Sequence, residues 1–155
     1  MGFKHVFIAK LDWLFSKKEA AKYTKSHRIT IDGKAVLHVS AAKAFQGDPA
    51  LYNPEDLLLS SVVSCHMMSY LYVCGQNDIE VVSYTDEAEA TLEVLTDGSG
   101  RFIEVKLNPK VRISNKEKIA EALSLHKKAN QLCFIANSCN FPIIHFPTCE
   151  TATTN

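Results

Sequence analysis

Five cysteines, at 65, 74, 133, 139 and 149, are the residues of this chain best able to do chemistry. Two of them stand out by their settings. Cys65 lies within an uncharged run, residues 57–77, and Cys133 closes an amphipathic stretch and is followed by Phe134-Ile135-Ala136. A buried thiol in apolar surroundings behaves as a small hydrophobe, whereas a thiolate held by a nearby positive field is a nucleophile. Cys74, near the end of the uncharged run, reads as a core residue, Cys149 as incidental to a tail, and Cys139, between Ser138 and Asn140, as either.

The element that carries Cys65 is written in its first residues. Asn53 is a good N-cap, Pro54 suits the first helical position, and Glu55 and Asp56 place negative charge at the positive end of the helix dipole. The pattern predicts a helix over 54–76, ended by Gly75, Asn77 and Asp78. Cys65 then lies about three turns in, with Ser61 and Ser69 one turn away on its face and Val62 and Met68 beside them. Ser60, Ser61 and Ser64 leave room for another element to approach closely. Mid-helix placement gives a thiolate no help from the helix N-terminus, so a reactive Cys65 needs a cation from elsewhere. On these grounds alone an inert core thiol is favoured.

Around this helix the pattern predicts strands over 3–14, 28–31 and 35–40, the last two joined at Asp32-Gly33. Residues 16–25 read as a loop or short helix, and 41–52 as a loop containing Gly47-Asp48-Pro49. Strands over 80–94 and 102–113 flank Asp97-Gly98-Ser99-Gly100. An amphipathic helix over 116–132 turns Ile119, Ala122 and Leu123 inward. Residues 133–140 read as partly helical, 141–146 as a strand, and 148–155 as a frayed tail. The order implies one α+β domain of antiparallel hairpins with a long buried helix. Its expected parts are an N-terminal β lobe over about 1–52, the helix over 54–76, and a C-terminal αβ lobe over about 79–147.

Composition narrows the functional classes. Of 155 residues, 46% are hydrophobic and 22% charged, the pattern of an ordinary folded soluble protein. Seventeen Lys and Arg balance seventeen Asp and Glu, and no basic run interleaves with aromatics, so no nucleic-acid partner is expected. Residues 57–77 are long enough to span a membrane. They contain four serines, a histidine, an asparagine and a glutamine, and their flanks Glu55, Asp56 and Asp78 are acidic. A helix buried in protein fits better than a span, and no membrane partner is expected. An odd number of cysteines with no visible leader points to a cytoplasmic protein with free thiols. No Cys-x-x-Cys or His-x-x-x-His pair is present, so a zinc site built from Cys65, His66, Cys133, Cys139 or His126 is disfavoured and no metal or cofactor is expected.

Asn53-Pro54-Glu55-Asp56-Leu57-Leu58, followed by the helix through Ser64-Cys65-His66, resembles the peroxidatic segment of the OsmC/Ohr family, the osmotically inducible and organic hydroperoxide resistance proteins. His126-Lys127-Lys128-Ala129-Asn130-Gln131-Leu132-Cys133-Phe134-Ile135 resembles the segment that carries the family's resolving cysteine. The separation of 68 positions between Cys65 and Cys133 (133 − 65) accommodates a helix end, a long hairpin and a second helix.

The resemblance implies an intertwined homodimer with the long helices buried at its centre and the active sites at the interface. It implies a thiol-dependent peroxidase in which Cys65 attacks an organic hydroperoxide and Cys133 resolves the sulfenic acid as a disulfide. A dithiol reductant, such as a lipoylated or thioredoxin-like protein, then reopens that disulfide. It further implies that Glu55 holds an arginine which stabilises the thiolate. Arg28 is the one arginine upstream of the helix, Arg101 and Arg112 being downstream.

Two positions depart from the family: Asn130 stands where a histidine is usual, and Phe134 where proline is common. They bear on efficiency and substrate more than on reaction type. Leu58, Val62, Met68, Tyr72, Phe134 and Ile135 are expected to form apolar walls suited to an alkyl tail. The alternative is a dimeric small-molecule or lipid binder of the same fold that uses no thiol chemistry.

Overall fold

The computed structural model describes residues 2–15 and 24–152. The chain divides into two compact units, Met1–Leu58 and Leu59–Asn155. Most of the 16–25 stretch lies outside the described residues.

In the first unit, β1 (Lys10–Asp12), β2 (His27–Thr30) and β3 (Leu37–Val39) form an antiparallel sheet in that order. The hairpin at Asp32-Gly33 is present, with Gly33 at φ 72°, a conformation that suits glycine. The strand expected over 3–14 is shorter. Only Lys10–Asp12 pairs, because β2 offers just Arg28 to Thr30 as partners. Phe3, Val6, Phe7 and Ile8 remain exposed.

The loop after β3 is gathered by buried Ser40, whose Oγ accepts the Asp48 N–H at 3.0 Å and bonds the Ser26 hydroxyl at 3.2 Å. Gly47 passes so close to Ala41 that a Cβ there would overlap the Ala41 backbone. The start of α1 (Pro54–Gln76) is capped reciprocally. Asn53 Oδ1 accepts the Asp56 N–H at 2.8 Å, and Asp56 Oδ2 accepts the Asn53 N–H at 3.4 Å.

The bounds of α1 match the sequence expectation. Its end differs in detail. Gly75 stays helical, and Asp78 takes the left-handed position at φ 52° while the Ile79 N–H closes on Cys74 O at 2.9 Å. By length and composition α1 could cross a bilayer. In the second unit, though, it buries one stripe made of Val62, His66, Tyr70, Val73 and Cys74.

The second unit holds two mixed sheets. β4 (Val81–Asp86), β7 (Pro109–Ile113) and β9 (Thr148–Thr151) form one, in the order β4-β7-β9. β5 (Glu89–Val94), β6 (Gly100–Leu107) and β8 (Ile143–His145) form the other, in the order β5-β6-β8. The α+β class is borne out, with β6–β8 and β7–β9 pairing in parallel beside the antiparallel pairs.

Each long strand of the expected hairpin breaks once. At the break the Asn108 N–H donates to Asp86 Oδ1 and the Asn108 amide donates to Glu87 O, both at 2.8 Å. That crossing passes the hairpin from one sheet to the other. After a short 3-10 turn, α2 (Ile119–Leu132) packs Ala122 and Ala129 against Tyr70, Val73, Val111 and Ile113, with Ile119, Leu125 and Leu132 around them. Leu123 is half-buried outside that cluster.

The tail is a correction. Thr148–Thr151 is not frayed but pairs with β7, placing Cys149 beside Val111 and against the core. Its alternating polar and apolar residues meet an otherwise open strand edge, and that edge satisfies their backbone groups. Truncation after Pro147 should therefore lower the unfolding free energy by about 2–4 kcal/mol, the worth of a few ladder bonds, in urea denaturation. An unchanged midpoint would restore the frayed reading.

Candidate active site

Cys65, Met68, Ser69 and Tyr72 recur at helical spacing and form a second stripe on α1, next to the buried one. With Leu132 and Phe134 they line a cavity of about 490 Å³. Cys65 is half-buried in its wall, whereas Met68, Tyr72 and Phe134 are exposed. The expected apolar wall is partly corrected. Val62 turns into the core cluster with Val105 and Leu107, and Ile135 packs against that cluster. Leu58 belongs to the first unit. Leu132 and Ser69 take their places. Val62 lies three residues before Cys65, about 60° off its direction toward the core stripe, whereas Met68, three residues after it, turns about 60° the other way.

Cys133 is the C-cap of α2 and is fully buried. Its thiol lies close enough to that of Cys65 to be perturbed by it. The two cysteines that the sequence singles out are therefore neighbours, and all five cysteines are free thiols. Burial, then the neighbouring Cys65 thiol, push the Cys133 thiol up to about 11, against the Ala136 N–H, which donates to its sulfur at 3.4 Å. Cys133 thus keeps its proton near neutral pH. Burial also raises Cys74, Cys139 and Cys149 above the ordinary thiol value, consistent with inert packing.

Three histidines far apart in sequence gather beside the pair. His66 and His126 are buried, with His66 Nε2 and His126 Nδ1 3.0 Å apart. The His145 ring lies 4.4 Å from that of His66, and Tyr70 stacks on His126 at 3.9 Å. Tyr70 also donates its hydroxyl to Ala122 O at 3.1 Å. Burial first, then the His145 and His126 charges, bring His66 down to about 3. Burial, then His145, bring His126 down to about 4. Both rings are neutral at pH 7, so one donates and the other accepts.

The sequence singles out His66 and His126 only as disfavoured zinc ligands and does not show that they cluster. The available signal was the stripe Ala122, His126, Ala129, Cys133, which places His126 on the buried face of an amphipathic helix. Among the described residues no three His, Cys, Asp or Glu side chains are arranged to hold a metal ion.

Arg28 and Glu55 both lie in the first unit. Arg28 is exposed on β2, opposite Asp12 and His38 in the sheet register. Glu55 is in the first turn of α1, and its buried Oε2 has no hydrogen-bond partner among the described residues. No ion pair joins the two there. Asn130 is half-buried on α2, with its Oδ1 also unpartnered.

A family model described as OsmC-like protein matches residues 46–145 of the chain, the stretch that contains α1, α2 and both cysteines. The chain belongs to that family. Its fold matches an OsmC-like protein of unknown function from Vibrio cholerae at 26% identity and a TM-score of 0.81, covering 96% of this chain and 100% of that one. An organic hydroperoxide resistance protein from Elizabethkingia anophelis aligns at 20% identity and 0.72, covering 98% and 100%. The organic hydroperoxide resistance protein OhrB of Bacillus subtilis aligns at 20% and 0.61, covering 93% and 98%. No curated protein matches the sequence.

The buried histidines of this OsmC-like protein should make its stability pH-dependent. Unfolded histidine titrates near 6.5, and the folded rings only near 3 and 4. As pH falls below 6.5 the unfolded chain gains protons that the folded protein refuses. The stabilisation is complete above 6.5 and is lost on acidification, by at most about 1.4 kcal/mol per pH unit for each ring. Urea midpoints measured from pH 7.5 to 4.5 should drop accordingly, and a His66→Leu/His126→Leu double variant should flatten the profile.

Proposed function

We propose that this protein is a thiol-dependent peroxidase that reduces organic hydroperoxides, with Cys65 as attacking and Cys133 as resolving cysteine. The observation that carries the reading is the neighbouring Cys65 and Cys133 thiols, with Cys65 opening onto an apolar cavity. The family and the two hydroperoxide resistance proteins of like fold support it.

The Cys65 thiolate attacks the terminal oxygen of the hydroperoxide and the O–O bond breaks; the sulfur keeps that OH as the sulfenic acid, and the alkoxide takes a proton from solvent and leaves as the alcohol. The Cys133 thiol then attacks the Cys65 sulfenic acid, and water leaves as the disulfide forms. A dithiol reductant, itself oxidised to a disulfide, returns both thiols. The high value of Cys133 fits this division of labour: the buried thiol waits protonated while Cys65, at the cavity wall, meets the substrate.

The cavity wall carries no cation, and a thiolate needs one. We assign that role to Arg28, with Glu55 as its holder, in the assembled protein. A homodimer is the proposed assembly. Phe3, Val6, Phe7 and Ile8 in the first unit and Met68, Tyr72 and Phe134 in the second leave more apolar surface than a soluble monomer carries. The proposed setting is the cytoplasm, where thiols stay reduced. Sedimentation at micromolar concentration should give a dimer; a stable monomer would sink that part.

Cys65→Ser should abolish peroxide consumption. Cys133→Ser should turn over once and accumulate Cys65 sulfenic or over-oxidised acid, seen by mass spectrometry. Arg28→Ala should slow alkylation of Cys65 at pH 7. Burying even two methylenes of substrate contributes about 1.6 kcal/mol. Cumene or tert-butyl hydroperoxide should therefore show a kcat/KM about tenfold or more above that of hydrogen peroxide. Parity with hydrogen peroxide would remove the apolar-cavity argument, and no activity with any of them would favour a small-molecule or lipid binder.

A further inference from the structure

We propose that His66 and His126 are positioning residues: their direct hydrogen bond pins α2 on α1 in the one register that holds the Cys133 thiol against Cys65. The proposal deepens the peroxidase reading, but its test does not need peroxide.

Three side-chain contacts join the two helices like rungs. Tyr70 meets Ala122 O, His66 meets His126, and Cys65 meets Cys133. Read from 70 back to 65 on α1, the rungs run from 122 forward to 133 on α2. His66 adjoins Cys65 in sequence. His126 precedes Cys133 by seven residues, within roughly 20° of two full turns, so both lie on one face of α2.

Cys133 is poorly fixed by its own element. It sits past the last helical residue, in extended conformation at φ −73° and ψ 108°, held locally by N–H bonds to its sulfur. Its distance to Cys65 therefore follows from where α2 is pinned. Packing alone pins helices loosely, because Ala122 and Ala129 offer α1 a smooth surface and apolar contacts have no direction. A single buried hydrogen bond between two rings does have direction. His66 Nδ1 and His126 Nε2 already lack a partner among the described residues, so sliding the helices would leave both rings with no hydrogen bond to each other and none to replace it. The bond requires one donor and one acceptor, which the neutral state of both rings supplies. Tyr70 and His145, on the flanks, restrict ring rotation.

The test is the equilibrium between the Cys65–Cys133 dithiol and disulfide in buffers of reduced and oxidised dithiothreitol, read by thiol trapping. His66→Leu and His126→Leu fill the core but cannot make the bond. Each should lower the equilibrium constant for disulfide formation tenfold or more, about 30 mV. His126→Asn keeps a polar atom at the Nδ1 position, and His66→Gln keeps one at Nε2. Both should stay within threefold of the wild type.

Folded Leu variants with a wild-type constant would overturn the proposal. If the Leu variants do not fold, the Asn and Gln variants decide: a folded one that loses tenfold overturns it, and one that keeps the constant upholds it. A wild-type protein that forms this disulfide yet consumes no hydroperoxide would sink the peroxidase reading and leave the clamp standing.

Discussion

The contact between α1 and α2 is the constraint on which the site depends. Neither helix positions a reactive pair by itself. α1 carries Cys65 in mid-helix, where the dipole gives a thiolate no support. α2 ends at Cys133, whose sulfur is buried and protonated. Together they set two thiols side by side near an apolar cavity, and both core clusters of the second unit serve to hold that arrangement. Tyr70, Val73, Ala122 and Ala129 share one cluster, and Val62 with Ile135 and Cys139 belongs to the other.

The interior around this contact is polar without being charged. His66, His126 and Tyr70 are all buried and all neutral near pH 7, so the α1–α2 seam carries hydrogen bonds without the desolvation cost of an ion pair. The ion pairs Lys110–Glu87 and Arg112–Glu150, by contrast, lie toward the surface. A seam of this kind favours a protonated Cys133 thiol.

The cavity owes its chemistry to a division of α1 into two adjacent stripes. The stripe of Val62, His66, Tyr70 and Val73 is consumed by the core, and that of Cys65, Met68, Ser69 and Tyr72 faces the cavity. A helix apolar all round can serve both at once. Phe134, just past Cys133, extends the wall, and its exposed ring adds apolar surface there.

Much of this protein is local and was readable from sequence. The start of α1 follows from Asn53, Pro54 and Asp56, whose caps act within three residues. The β2–β3 hairpin follows from Asp32-Gly33, and the motifs around Cys65 and Cys133 single out the two cysteines that the fold makes neighbours. The ends of strands were less readable, because a strand exists only where a partner is present. Residues 3–14 pair over Lys10–Asp12 alone, and Thr148–Thr151 becomes a strand because β7 has an open edge to receive it. The histidine cluster was decided entirely by tertiary structure. His66, His126 and His145 are separated by 60 and 19 residues, and only the packing of two helices and a strand converts three scattered rings into one buried group. Sequence determines which face of each helix is apolar; which residues meet across those faces is set by the register of packing, a property of the whole unit and not of any window of the chain.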